Sequence, residues 1–143
     1  MFRNYGGVLA AGLLFFGAAP RYAQAGVICQ TYETVCAGGC THTSIQPAVN
    51  AIPSTALTGN WCIDITDSRM YSEKVVVGNK NPNGFRIYIG TTSNTSNRPT
   101  LNPPSASTAA FRIQAASVSI QNVSIISTNS VAFGVYASSA YLT

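Results

Sequence analysis

Two segments in the last third of the chain, Ala110–Gln121 (AFRIQAASVSIQ) and Ala132–Thr143 (AFGVYASSAYLT), align position by position at a constant offset of 22 (132 − 110). Phe111 falls on Phe133, Ile113 on Val135, Val118 on Ala140 and Ile120 on Leu142. Each segment reads as a short alternating strand, an Ala/Ser corner and a second alternating strand. A repeat of roughly 20–50 residues marks a stack of like units, each burying its apolar side against the next. Two short strands per unit, with no helix between them, predict an all-β solenoid of the β-helix kind.

The strands of this repeat are expected at 110–115, 118–126, 131–137 and 140–143. Alternation places Phe111, Ile113, Val118, Ile120, Val123 and Ile125 inward, with Arg112, Gln114, Ser119, Gln121 and Ser124 outward. Phe133, Val135 and Leu142 continue the interior columns. Upstream, WCIDIT (61–66), KVVV (74–77), FRIYI (85–89) and PTLN (99–102) are β-branched or aromatic runs separated by Gly, Pro and Asn, and read as earlier strands. The segments TTSNTSNR (91–98) and NPPSAST (102–108) are polar loops, and Pro103-Pro104 forbids a central strand there.

One stretch has helical rather than strand period. In SIQPAVNAI (44–52), Ile45, Ala48, Val49 and Ile52 fall on one face. Thr43 or Ser44 serves as N-cap, Pro47 lies in the tolerant first turn, and Pro53 ends the helix. Its expected role is to cap the open end of the stack, covering an apolar cross-section that water would otherwise wet.

Residues 1–25 read as a secretory leader. Arg3 supplies the positive start, Val8–Ala19 is an unbroken apolar run, and Ala23-Gln24-Ala25 is a small-residue cleavage signal. A spanning helix needs about 20 apolar residues, and Pro20-Arg21 ends this run first; an uncleaved anchor is the alternative. No later stretch is apolar enough to span. Cleavage after Ala25 leaves one modest domain that starts at Gly26. The expected division is then leader 1–25, Cys-rich segment 26–43 and stacked strands 44–143. The net charge of +4 includes Arg3 and Arg21; without them it is 6 − 4 = +2, too weak a balance to predict a nucleic-acid partner. The expected location is secreted or cell-surface.

Four cysteines, Cys29, Cys36, Cys40 and Cys62, follow the leader. An even number in an exported chain predicts two disulfides, and three pairings are open. Gly38-Gly39 would let Cys36 and Cys40 close a tight loop, leaving Cys29 to tie the N-terminal segment to the first strand through Cys62. The rival reading is a soft metal site from Cys36-x3-Cys40-x-His42 with Cys29 or Cys62. It lacks a paired C-x2-C, so disulfides are preferred and neither metal nor cofactor is expected. His42 belongs on a polar surface.

The stretch Thr43–Pro53 (TSIQPAVNAIP) resembles the T-I-Q-x-A-V-x-A-x-P helix of pectinesterases, members of the right-handed parallel β-helix (pectin lyase-like) group. Tyr71-Ser72-Glu73-Lys74-Val75 is similar to the Y-x-E-K-V part of that family's next motif, with Arg69 where the motif has its glycine. Phe85–Gly90 is similar to the following strand and its closing glycine. The resemblance covers about Thr43 to Thr143. It implies a right-handed parallel β-helix and, in a complete enzyme, a site of two aspartates, an arginine and glutamines, mostly on later coils. Val131 stands where one of those glutamines would open a Q-A-V-A-L segment.

The carboxylates are Glu33, Asp64, Asp67 and Glu73. Alternation sets Asp64 outward and Asp67 in the next turn, so neither a glycosidase pair nor a calcium cluster is expected. Glu73 is expected in an exposed salt bridge with Lys74 or Arg69. Asn94 and Asn122 begin glycosylation sequons, and Asn122 also suits a hydrogen-bonded corner ladder. Tyr88, Tyr136 and Tyr141 form a candidate outward aromatic stripe for stacking on sugar rings. Tyr136 and Tyr141 sit beside Arg112 and Gln114 of the preceding coil, and the candidate carbohydrate contacts are Tyr136, Tyr141 and Arg112. The expected protein is a non-catalytic exported scaffold with polysaccharide as partner. The chain stops inside a strand, so a C-terminal continuation or self-association is expected at the open last coil. The alternative is the N-terminal part of a pectin-active enzyme whose catalytic residues lie beyond residue 143.

Overall fold

The computed structural model describes residues 28–91, 98–139 and 141–142. The predicted leader, the sequon at Asn94 and the side chain of Tyr141 lie outside the described residues. The described residues are mostly β-strand, with one short helix. In order it forms β1 (Thr31–Val35), α1 (Ile45–Ala51), β2 (Trp61–Ile65), β3 (Met70–Tyr71), β4 (Val75–Gly78), β5 (Ile87–Gly90), β6 (Thr100–Leu101), β7 (Ala109–Gln114), β8 (Ser117–Gln121), β9 (Ser124–Ile125), β10 (Phe133–Ser138) and β11 (Tyr141–Leu142).

These strands make three open sheets, in the orders β1-β2-β5-β8-β11, β4-β7-β10 and β3-β6-β9. All pairings between them are parallel. The chain visits the sheets in one recurring order: β2, β3, β4; then β5, β6, β7; then β8, β9, β10. Register then stacks like on like. Ile63 pairs with Ile89 and Ile89 with Ile120. Val75 pairs with Phe111 and Phe111 with Val135. Tyr71 pairs with Leu101 and Leu101 with Ile125. Ile63, Ile89, Val75, Phe111, Tyr71 and Leu101 are all buried, so the three columns meet in one apolar core. Burying each large side chain is worth about 1.5–3 kcal/mol, which makes these columns the main stabilising term.

Corners recur as well. Asn79, Ala115 and Ser139 directly follow β4, β7 and β10, and all three have left-handed φ, at 54°, 46° and 48°. Asn122 turns the chain between β8 and β9 with φ 54°, and its Nδ2 donates to the Thr91 carbonyl at 3.3 Å. The single expected strand 118–126 is therefore two. No stacked asparagine partner accompanies Asn122 among the described residues.

The repeat offset is corrected by the pairing. Val135 lies opposite Phe111 and Leu142 opposite Val118, a separation of 24 (135 − 111 and 142 − 118) in place of 22. A slip of two positions leaves alternation unchanged, so residue likeness alone favours Phe111 on Phe133. Phe133 instead pairs with Ala109 on the outermost described strand of its sheet, and is 48% exposed rather than interior. Ser119, expected outside, is buried: a short side chain opposite Tyr88, its hydroxyl accepts from Gln121 Nε2 at 3.1 Å. Strands β1 and β3 have no counterpart among the strands expected from the sequence.

The predicted helix is present, with Ile45, Ala48, Val49 and Ile52 buried. Ser44 holds the N-cap position but makes no side-chain cap bond. Glu73 does that work, accepting the Ile45 and Gln46 amides at 2.8 and 2.9 Å, so the expected exposed salt bridge is replaced by a backbone cap. Gln46 reaches the free edge of β4. Its Oε1 accepts the Val76 amide at 2.6 Å and its Nε2 donates to the Val76 carbonyl at 3.1 Å, as a neighbouring strand would. At the other helix end Lys80 donates to the Ile52 carbonyl, and burial lowers its pKa.

Two disulfides, Cys29–Cys62 and Cys36–Cys40, are formed, and no described cysteine is free. They span 33 and 4 residues of sequence. In the chain-entropy account the longer loop contributes about 3–4 kcal/mol and the shorter about 2. Replacing both Cys29 and Cys62 by Ser should therefore lower the unfolding free energy by more than replacing Cys36 and Cys40, read from urea midpoints at unchanged m. Glu73→Ala should cost about 1–2 kcal/mol by the same measurement, since it removes a carboxylate that accepts two backbone amides.

Candidate carbohydrate-binding face

Two of the three expected carbohydrate contacts, Arg112 and Tyr136, lie on the sheet β4-β7-β10. Strand β7 (AAFRIQ) alternates so that Phe111 and Ile113 are buried while Arg112 is exposed. Strand β10 pairs alongside in parallel, which sets Tyr136 opposite Arg112 and Ser138 opposite Gln114. On the far side Val76 is opposite Arg112 and Gly78 opposite Gln114. Tyr136 is 38% exposed, and its ring lies 5.6 Å from that of Phe133, tilted by 44°. Arg112 makes no ion pair among the described residues. The register therefore sets Arg112 and Tyr136 opposite one another at exposed positions, with the Phe133 ring against that of Tyr136 and the Gln114–Ser138 pair two residues further along. Rings present a flat apolar face and guanidinium and amide groups supply donors, the combination that suits a sugar ring.

The three tyrosines do not make one stripe. Tyr88 belongs to the other large sheet, half-buried between Cys62 and Ser119 in register. The backbone of Tyr141 pairs with Ser117 in that sheet, away from Tyr136. Only Tyr136 and Arg112 of the expected contacts are thus brought together. Phe133 is the residue that sequence reasoning misses here. Its alignment with Phe111 assigns it to the interior, and only its exposure in the folded chain shows otherwise.

The chain's acids are engaged elsewhere. Asp67, expected as a solvated surface group, accepts the Ala37 amide at 2.8 Å and the Tyr71 hydroxyl at 2.7 Å, joining the Cys-rich segment to the first strands. Arg69 lies 3.7 Å from Asp67, stacks 4.4 Å above the Tyr71 ring and donates to the Thr43 carbonyl. An open cleft of about 450 Å³ borders this group, lined by Thr43, Ser44, Met70 and Glu73 among others. Glu73 is already spent on the helix, so the cleft offers no uncommitted acid. His42 Nε2 lies 2.9 Å from Glu33 Oε2, half-buried rather than simply on a polar surface. No group of three or more His, Cys, Asp or Glu side chains among the described residues is arranged to hold a metal. No helix among them is long and apolar enough to cross a membrane.

Compared with models of protein families, with curated protein sequences and with solved structures, the chain gives no significant match in any of the three.

Tyr71 provides a pH test of this anchoring group. Burial, reinforced by the hydrogen bond to Asp67 and opposed by Arg69, pushes its pKa from 10.0 up to about 12. A raised folded pKa means the contribution is complete below the unfolded value and is lost as pH rises through the folded one. Stability should therefore fall over that interval. The difference in unfolding free energy between the wild type and Tyr71→Phe should change over that interval and be flat at neutral pH.

Proposed function

We propose that this chain forms coils of an exported right-handed parallel β-helix, a non-catalytic secreted or surface scaffold that binds polysaccharide. Three observations support the architecture: exclusively parallel pairing, three sheets visited in fixed order, and interior columns in register. Parallel connections within a sheet are right-handed in about 98% of cases, which supports that hand. The two disulfides fit an oxidising compartment, and the leader-like start accounts for export. The binding reading rests on one observation, the pairing of Tyr136 with Arg112 on an exposed sheet face. The pectin-active alternative draws no support from Asp67 or Glu73, both engaged in holding the N-terminal segment.

Affinity electrophoresis through gels carrying neutral or acidic polysaccharides tests the proposal. At least one glycan class should retard the wild type. Tyr136→Ala and Arg112→Gln should each weaken that retardation about tenfold, equivalent to ~1.4 kcal/mol, without altering the thermal midpoint. Retardation by none of the polysaccharides, or equal retardation of all three proteins, overturns the assignment.

A further inference from the structure

The two disulfides stand in opposite environments. Cys62 is fully buried on β2, and its bond to Cys29 closes the longer loop. Cys36 and Cys40 are both partly exposed, and the residues between them, Ala37, Gly38 and Gly39, are exposed. Gly38 and Gly39 have open space where a side chain would be, so an incoming thiol meets no covering group from that side.

The surroundings also suit the reduced form of the short bridge. Cys36 Sγ lies 2.9 Å from the Gly38 carbonyl, an acceptor for a thiol proton. Cys40 Sγ lies 3.4 Å from Thr66 Oγ1, a hydroxyl able to donate to a thiolate. Each sulfur therefore has a partner for a different protonation state. The backbone around the loop is held independently of the bond: the Cys36 amide donates to the His42 carbonyl at 3.1 Å and the Ala37 amide to Asp67.

We propose that Cys36–Cys40 is a thiol-exchange site, reduced reversibly by external dithiols while Cys29–Cys62 and the fold stay intact. A thiolate of the dithiol attacks Cys36 Sγ. The Cys36–Cys40 bond breaks, and Cys40 leaves as the thiolate that Thr66 stabilises. The second thiol of the reagent, deprotonated, then attacks its own sulfur in the mixed disulfide and releases Cys36. Two electrons and two protons pass to the protein, and the dithiol becomes a cyclic disulfide. Exchange is faster when the leaving sulfur is the better stabilised thiolate and the attacked sulfur is accessible. At the other bridge the leaving group from an accessible attack would be Cys62, whose thiolate would be fully buried.

The test uses the purified chain with graded dithiothreitol, rapid alkylation by iodoacetamide and peptide mass mapping, with far-ultraviolet circular dichroism recorded in parallel. Cys36 and Cys40 should be alkylated at least about tenfold faster than Cys29 and Cys62, with the spectrum unchanged, and reoxidation should restore the bridge. Thr66→Val should slow the first reduction several-fold. Equal rates at the two bridges, earlier reduction of Cys29–Cys62, or loss of the spectrum together with the first alkylation overturns the proposal. An unchanged rate in Thr66→Val overturns the assignment of Cys40 as leaving sulfur.

Discussion

A single side-chain amide closes the first edge of the sheet β4-β7-β10. Parallel pairing satisfies a strand only where it has a neighbour, and β4 has one on one side alone. Gln46 takes the vacant place, giving and receiving one hydrogen bond with Val76. That contact fixes where α1 lies, and the position of α1 decides which apolar side chains cover the end of the core. Glu73 then binds the helix start and Lys80 its end, so residues of the first strands and their flanking turns hold the lid that protects them. In the other large sheet the edge of β2 is covered by a real strand, β1, tied down through Cys29–Cys62. The same problem, an unpaired backbone edge, is met twice by different means.

Much of this arrangement is legible in the sequence because two periods are superimposed on it. The helical period of 44–52, with Pro53 as a stop, locates the helix to within a residue at each end. The alternating period locates β2, β4, β5, β7 and β10, and it sets Phe111 and Ile113 of β7 inward, where both are buried. What does not show is anything shorter than the pattern that would reveal it. Strand β3 has two residues, too few to alternate, and β1 lies in a segment whose cysteines point to crosslinks before strands. Register is the other blind spot. Sequence likeness matches Phe with Phe, while the sheet matches Phe111 with Val135, and both choices respect the alternation.

The candidate site is legible in the same partial way. Alternation sets Arg112 and Tyr136 on an exposed surface, where the structure has them. It cannot tell which tyrosines share a sheet, because that depends on how many residues each loop uses before the chain returns. Nor can it separate Asp67 and Glu73 from ordinary surface acids. Both act on backbone amides far away in sequence, a partnership that no local pattern encodes.

The spacing between stacked strands is itself uneven. From β2 to β5 the register advances by 26 (87 − 61), from β5 to β8 by 31 (118 − 87) and from β8 to β11 by 24 (141 − 117). The strands stay paired in parallel through all three intervals, so the differences are absorbed outside them. Lengthening a flexible loop adds little closure entropy, roughly 0.6 kcal/mol per doubling. An architecture that keeps its pairing over unequal intervals is tolerant of insertion between strands, because an added residue lengthens a connection and leaves the register untouched.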